Sequence, residues 1–126
     1  MLTTSQVLHD GKRNLVMQFT GISGGDDETL VPKVDVSELS PPAKSVKVTK
    51  VTYDISGGLV RLIWGADDPV AFLELTGPNV IDYCGIGGLK NGGGDTATGD
   101  ILMTTLGFEL GASYTITIEM TKKFAS

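Results

Sequence analysis

Along residues 13–20 the chain alternates Leu15, Met17 and Phe19 with Asn14, Val16 and Gln18, the period-two pattern of a strand with one face buried. The same pattern returns most clearly near the end, where Tyr114, Ile116, Ile118 and Met120 alternate with Thr115, Thr117 and Glu119. Between these two segments, Leu30, Val34 and Val36 alternate with Lys33 and Asp35, and Pro32 marks that strand as an edge because it lacks a ladder donor. Residues 45–55 read as a long strand whose apolar phase moves from Val46 and Val48 to Val51, Tyr53 and Ile55. One extra residue near Lys50, a β-bulge or a switch between sheets, would keep both halves facing the core.

The breaks in the pattern predict the connections. Leu39-Ser40-Pro41-Pro42 offers no amide donors at its prolines and reads as a loop. Ser56-Gly57-Gly58 reads as a tight hairpin into a strand over 59–65, since paired glycines accept positive φ. Ala66-Asp67-Asp68-Pro69 turns the chain into a strand over 70–75, and Gly77-Pro78-Asn79 turns it again into one over 80–83, giving a meander. Residues 85–99 hold too much glycine for a strand and form the longest loop, after which 100–106 and 114–121 close the chain as strands. The expectation is therefore an all-β chain: a single-domain antiparallel β-sandwich or jelly-roll-like barrel of about seven or eight strands. Residues 1–12 form an N-terminal arm and residues 13–126 the domain.

Composition sharpens this picture. The 126 residues and 13.2 kDa suit one domain. Seventeen glycines with abundant Thr and Val favour short strands and turns over long helices. Fifteen acidic against ten basic residues leave a net charge of −5, which repels phosphate backbones and anionic headgroups, so neither nucleic acid nor a membrane is an expected partner. No basic segment followed by a secretory apolar run opens the chain, and no stretch approaches ~18 apolar residues. A soluble product made in a cytoplasm is expected.

Each residue group that could carry catalytic chemistry has a simpler reading. Gly21-Ile22-Ser23-Gly24-Gly25 satisfies the G-x-S-x-G pattern, but no helix follows it, Asp26-Asp27-Glu28 would repel an oxyanion, and the lone histidine, His9, lies fourteen residues upstream. A hairpin loop is the simpler reading, with the acidic run as a mobile turn. Cys84 is the single cysteine and reads as a half-buried small apolar residue; with His9 solvent-exposed, no thiolate or zinc site assembles. The acidic pairs around Asp26 and around Asp95 and Asp100 lack calcium-loop spacing, no Walker pattern is present, and Trp64 lies in an apolar strand as a core residue rather than a sugar platform. No enzyme, metal or cofactor is expected.

Asp10-Gly11-Lys12-Arg13-Asn14, Phe19-Thr20-Gly21, Lys33-Val34-Asp35-Val36-Ser37, Leu62-Ile63-Trp64, Gly87-Gly88-Leu89-Lys90-Asn91, Gly99-Asp100-Ile101-Leu102 and the run from Tyr114 to Lys122 together resemble the small β-rich virion structural proteins of tailed bacteriophages, of the capsid decoration or cement type. The resemblance implies a protein of the virion that sits, often as a homotrimer, at symmetry axes of the shell and clamps major-capsid-protein subunits. The alternatives are a neck or tail component and a free sugar- or receptor-binding sandwich. Apolar side chains on a polar terminus gain free energy only by covering a surface. The expected partner interface is accordingly Leu2, Val7 and Leu8 on the arm with Leu89, Lys90 and Asn91 in the glycine-rich loop.

Overall fold

The two clearest alternating segments are direct neighbours. In the computed structural model, which describes residues 2–124, β2 (Asn14–Ile22) and β7 (Ser113–Lys123) pair antiparallel from Asn14↔Thr121 to Ile22↔Ser113, with Leu15, Met17 and Phe19 opposite Met120, Ile118 and Ile116 on the buried face. The other described strands are β1 (Leu2–Asp10), β3 (Val31–Val34), β4 (Ser45–Trp64), β5 (Val70–Asp82) and β6 (Ile101–Leu106). They run in the order β1-β2-β7-β4-β6-β3, and β5 lies along the remaining edge of β4. The chain is all-β, an antiparallel sandwich of seven strands among the described residues.

The long β4 has different partners along its two halves. Its first half pairs with β7 from Ser45↔Lys123 to Ser56↔Ser113, and its last residues pair with β6 from Leu59↔Leu106 to Trp64↔Ile101. On the other edge β5 accompanies β4 through both halves, from Lys50↔Asp82 to Trp64↔Val70. Ser56-Gly57-Gly58 is thus a corner inside one strand, where β4 changes partner, and not the expected hairpin. Gly57 takes φ 88°, and Gly58 lies so near Phe108 that a Cβ would sit 2.3 Å from its ring. Between Ile55↔Gly77 and Val60↔Leu75, residues 56–59 of β4 face only Thr76 of β5. Gly77-Pro78-Asn79 is likewise no turn but part of β5, and Pro78 is tolerated because β5 has no neighbour on its outer edge.

The bulge expected near Lys50 is present: Val48 faces Met120 and Lys50 faces Glu119, leaving Thr49 as the extra residue, its hydroxyl donating to Glu119 O at 2.9 Å. That insertion keeps Val46, Val48, Val51, Tyr53 and Ile55 on one buried face. Facing them across the corner are Val60, Leu62, Leu75, Ile101 and Met103, joined into one core. Trp64, Leu62 and Ile116 are core residues as expected, and Trp64 stacks on Phe72 with ring centroids 3.9 Å apart. Burying each large side chain contributes about 1.5–3 kcal/mol, so this cluster is the main source of stability. β3, which carries Pro32, is the last strand in its sheet, as expected.

The segment expected as an arm differs. Residues 2–10 pair with β2 from Leu2↔Ile22 to Asp10↔Leu15, and the link is closed by Gly11 N–H donating to Asn14 O at 2.9 Å. The physical reason is backbone satisfaction: without β1, the outer amides and carbonyls of β2 would lack a ladder. Met1 lies outside the described residues.

Candidate interaction surfaces

β1 presents an unusual edge. Every residue from Leu2 to His9 is exposed, including Leu2 at 76%, Val7 at 51% and Leu8 at 47%, so neither face of the strand is covered. Its sequence has no Lys, Arg, Glu or Pro, the usual means of blunting an edge, and the only irregularity is a register shift between Val7 and His9. Leu2 pairs with exposed Ile22, and beside them lies a shallow hollow of about 300 Å³ between β1, β2 and β7. Leu2, Val7 and Leu8 thus share one strand and its rim.

The second expected group divides. Leu89 is an anchor: its N–H donates to Val48 O at 2.7 Å, its carbonyl accepts from Val48 N at 3.0 Å, and its side chain packs against the core. That half-buried position leaves part of its side chain at the surface. Lys90 and Asn91 instead line an open depression of about 810 Å³, to which β4 contributes Lys47, the segment before it Lys44, and the end of β7 Lys123. The two groups fall on separate parts of the surface, β1 at the end of one sheet and the depression around the start of β4. Lys44, Lys47 and Lys123 were missed in the sequence because only the fold brings them beside Lys90.

The walls of this depression are fixed by backbone contacts. Lys44 N–H donates to Lys123 O at 2.8 Å, Thr98 N–H to Gly65 O at 2.9 Å, and Asp100 Oδ1 accepts from Val36 N at 3.0 Å. Gly99, at φ 88°, lies against Lys44 so closely that a Cβ would fall 1.9 Å from its carbonyl oxygen. Asn91 Oδ1 accepts from Gly93 N–H at 2.7 Å, which sets the amide orientation, and its buried Nδ2 has no hydrogen-bond partner among the described residues.

The groups considered for chemistry have other tasks. Ser23 is buried, with its Oγ near Asp26 O at 2.9 Å and accepting from Gly25 N–H at 3.0 Å. His9 is exposed at the opposite end of the β1–β2 hairpin, level with Val16, so no base faces Ser23. The run expected as a mobile acidic turn is corrected: Asp27 Oδ1 accepts from Thr105 Oγ1 and Phe108 N–H, and buried Glu28 pairs with Lys33 and Tyr114. Cys84 is exposed rather than half-buried, because it opens a 3-10 turn (Cys84–Ile86) beyond the end of β5. The Asp82 carboxylate beside it pushes the thiol pKa up, the opposite of what a nucleophilic cysteine requires. No cluster of three metal-ligating side chains occurs among the described residues, and no helix there is long and apolar enough to cross a membrane.

No protein-family model matches the chain, and no curated protein sequence matches it. Among solved structures, a crystal structure of a cupin superfamily protein from Desulfitobacterium hafniense DCB-2 aligns with 97% of this chain and 78% of its own, at 12% identity and a TM-score of 0.39.

Proposed function

We propose that this chain is a bacteriophage virion structural protein of the cement or decoration type, which works by contact and not by catalysis. The observation that carries the reading is the β1 edge: nine residues with an unpaired outer ladder and exposed Leu2, Val7 and Leu8. Long unprotected edges favour aggregation unless a partner completes them, so such a strand belongs against another subunit. The sequence resemblance supplies the class of that partner, the major capsid protein, with a homotrimer as the assembled form. Two further features support a contact role: the hydroxyl of Ser23 and the acidic run are engaged internally, and the loop walls are locked by backbone bonds.

The test is decoration of particles stripped of this protein. The parent chain should bind at a stoichiometry set by the shell lattice and delay heat-induced opening. Leu2→Lys with Val7→Lys should fold normally, since both side chains are exposed, yet lose attachment. Binding at only one vertex would favour a neck or tail position. No binding to particles would overturn the reading.

A further inference from the structure

The strongest unassigned feature is the depression between the start of β4, the end of β7 and the long loop. Four of the protein's ten basic side chains line it, Lys44, Lys47, Lys90 and Lys123, against the single carboxylate of Asp95. None of these lysines has an ion-pair partner among the described residues, whereas Lys33, Arg61 and Lys122 do. In a molecule of net charge −5, such a concentration of unpaired positive charge creates a local field of opposite sign to the whole. Asn91 lies beside them with its Oδ1 accepting from Gly93 N–H at 2.7 Å, which holds the loop that carries Lys90.

We propose that this depression binds an acidic, extended peptide segment of a partner protein, with its carboxylates held by Lys44, Lys47, Lys90 and Lys123. Three features select this ligand class. The volume of about 810 Å³ far exceeds one phosphate or one carboxylate and fits several residues. Ala43 and Ala97 supply accessible apolar surface between the charges, which suits a chain of mixed acidic and apolar side chains better than a fully hydroxylated sugar. The lining contains neither arginine, with its bidentate fork for phosphate, nor an aromatic ring on which a base would stack. The walls are preformed, since Gly99 is pressed onto Lys44 and the flanking loop is bonded to Gly65, so little ordering opposes binding. This site goes beyond the cement reading and does not depend on it.

The experiment uses the isolated chain and a capped hexapeptide alternating Asp and Leu, followed by amide chemical shifts at low salt. Saturable shifts should be confined to residues around Lys44, Lys47, Lys90, Asn91 and Lys123 and weaken as salt screens the lysines. Lys90→Glu with Lys123→Glu should lower the affinity at least about tenfold, since reversal replaces attraction by repulsion. Asn91→Asp keeps the acceptor for Gly93 while placing a carboxylate among the lysines, and should lower it several-fold. Thermal unfolding of each variant, equal to the parent, separates binding from folding. An Asn-Leu peptide that shifts the same amides equally, inorganic phosphate that saturates the site alone, or the absence of shifts at millimolar peptide would each overturn the proposal. None of these readouts involves particle attachment, so this proposal and the cement reading fail separately.

Discussion

Lys33 and Glu28 meet inside the sandwich: Lys33 Nζ lies 2.8 Å from Glu28 Oε2, with side chains 5% and 8% exposed, and Tyr114 OH donates to Glu28 Oε1 at 2.5 Å. β3 delivers the lysine, β7 the tyrosine, and the loop after β2 the carboxylate, so one charged pair ties together strands that are not neighbours in the ladder. Removing one partner of such a pair leaves a buried charge. Lys33→Met should therefore destabilise the fold by about 3–5 kcal/mol in urea unfolding, while adding Glu28→Leu and Tyr114→Phe should recover most of the loss. An unchanged midpoint for Lys33→Met would remove the pair from any account of stability.

The same contact fixes the alkaline limit. Burial and the Glu28 carboxylate raise the Tyr114 pKa far above its ordinary value of 10.0. The folded state holds the phenol proton more tightly than the unfolded chain. This contribution is fully present below about pH 10 and is lost as pH rises from there toward the folded value. Tyr114→Phe should cost about 1–2 kcal/mol at neutral pH through the lost hydrogen bond, and its stability should fall less steeply above pH 10 than that of the parent. Parallel alkaline limbs for the two proteins would assign the transition to other groups.

At the acid end the relevant pair is Asp10 and Lys122. Lys122, fully buried, contacts Asp10 Oδ1 and donates to Pro41 O at 3.1 Å, and Asp10 Oδ2 accepts from Ser40 N–H at 2.9 Å. Burial works against the Asp10 carboxylate, but the Lys122 ammonium and the Ser40 amide outweigh it and lower its pKa below the usual 3.8. Here the unfolded chain takes up the proton first. The stabilisation is complete above the unfolded value and disappears as pH falls through the folded one. Asp10→Asn should reduce stability at pH 7 and flatten the acid limb, and Asp10→Ala should cost more, about 3 kcal/mol, because it leaves the buried ammonium with the Pro41 carbonyl alone. Equal acid midpoints for parent and Asp10→Asn would refute the assignment.

What the sequence discloses depends on whether the signal is local. Tyr114 to Met120 and the phase change around Lys50 are read correctly because side-chain alternation is itself the cause of burial in a strand. β1 escapes the pattern because Leu2 to His9 is exposed on both faces, so its place is set by the free ladder of β2 and leaves no apolar period. Glu28 looks like a solvated charge until Tyr114, eighty-six residues away, is brought to it. The lysine depression is invisible for the same reason. Ser56-Gly57-Gly58 misleads differently, because glycine permits a hairpin and a strand corner equally, and only the partners β7 and β6 decide between them.

That corner yields the last prediction. A hairpin tip would place Gly58 in solvent, where alanine costs little beyond backbone strain. At the corner, by contrast, a Cβ on Gly58 would lie 2.3 Å from Phe108 Cδ1 and 3.0 Å from Leu106 O. Phe108 cannot easily retreat: it is buried, its N–H donates to Asp27 Oδ1 at 3.0 Å, and its ring meets Tyr114 edge-on at 6.1 Å. Gly58→Ala should therefore destabilise by about 1–3 kcal/mol through overpacking. Gly77, with φ 67° and open space around it, should show only the smaller strain of about 1 kcal/mol when changed to alanine. Trimming the obstacle gives the decisive measurement: in a Phe108→Leu background, Gly58→Ala should cost clearly less than in the parent, a coupling expected only for residues in contact. If the two substitutions add without coupling in urea unfolding, the packing of Phe108 into the β4 corner is wrong.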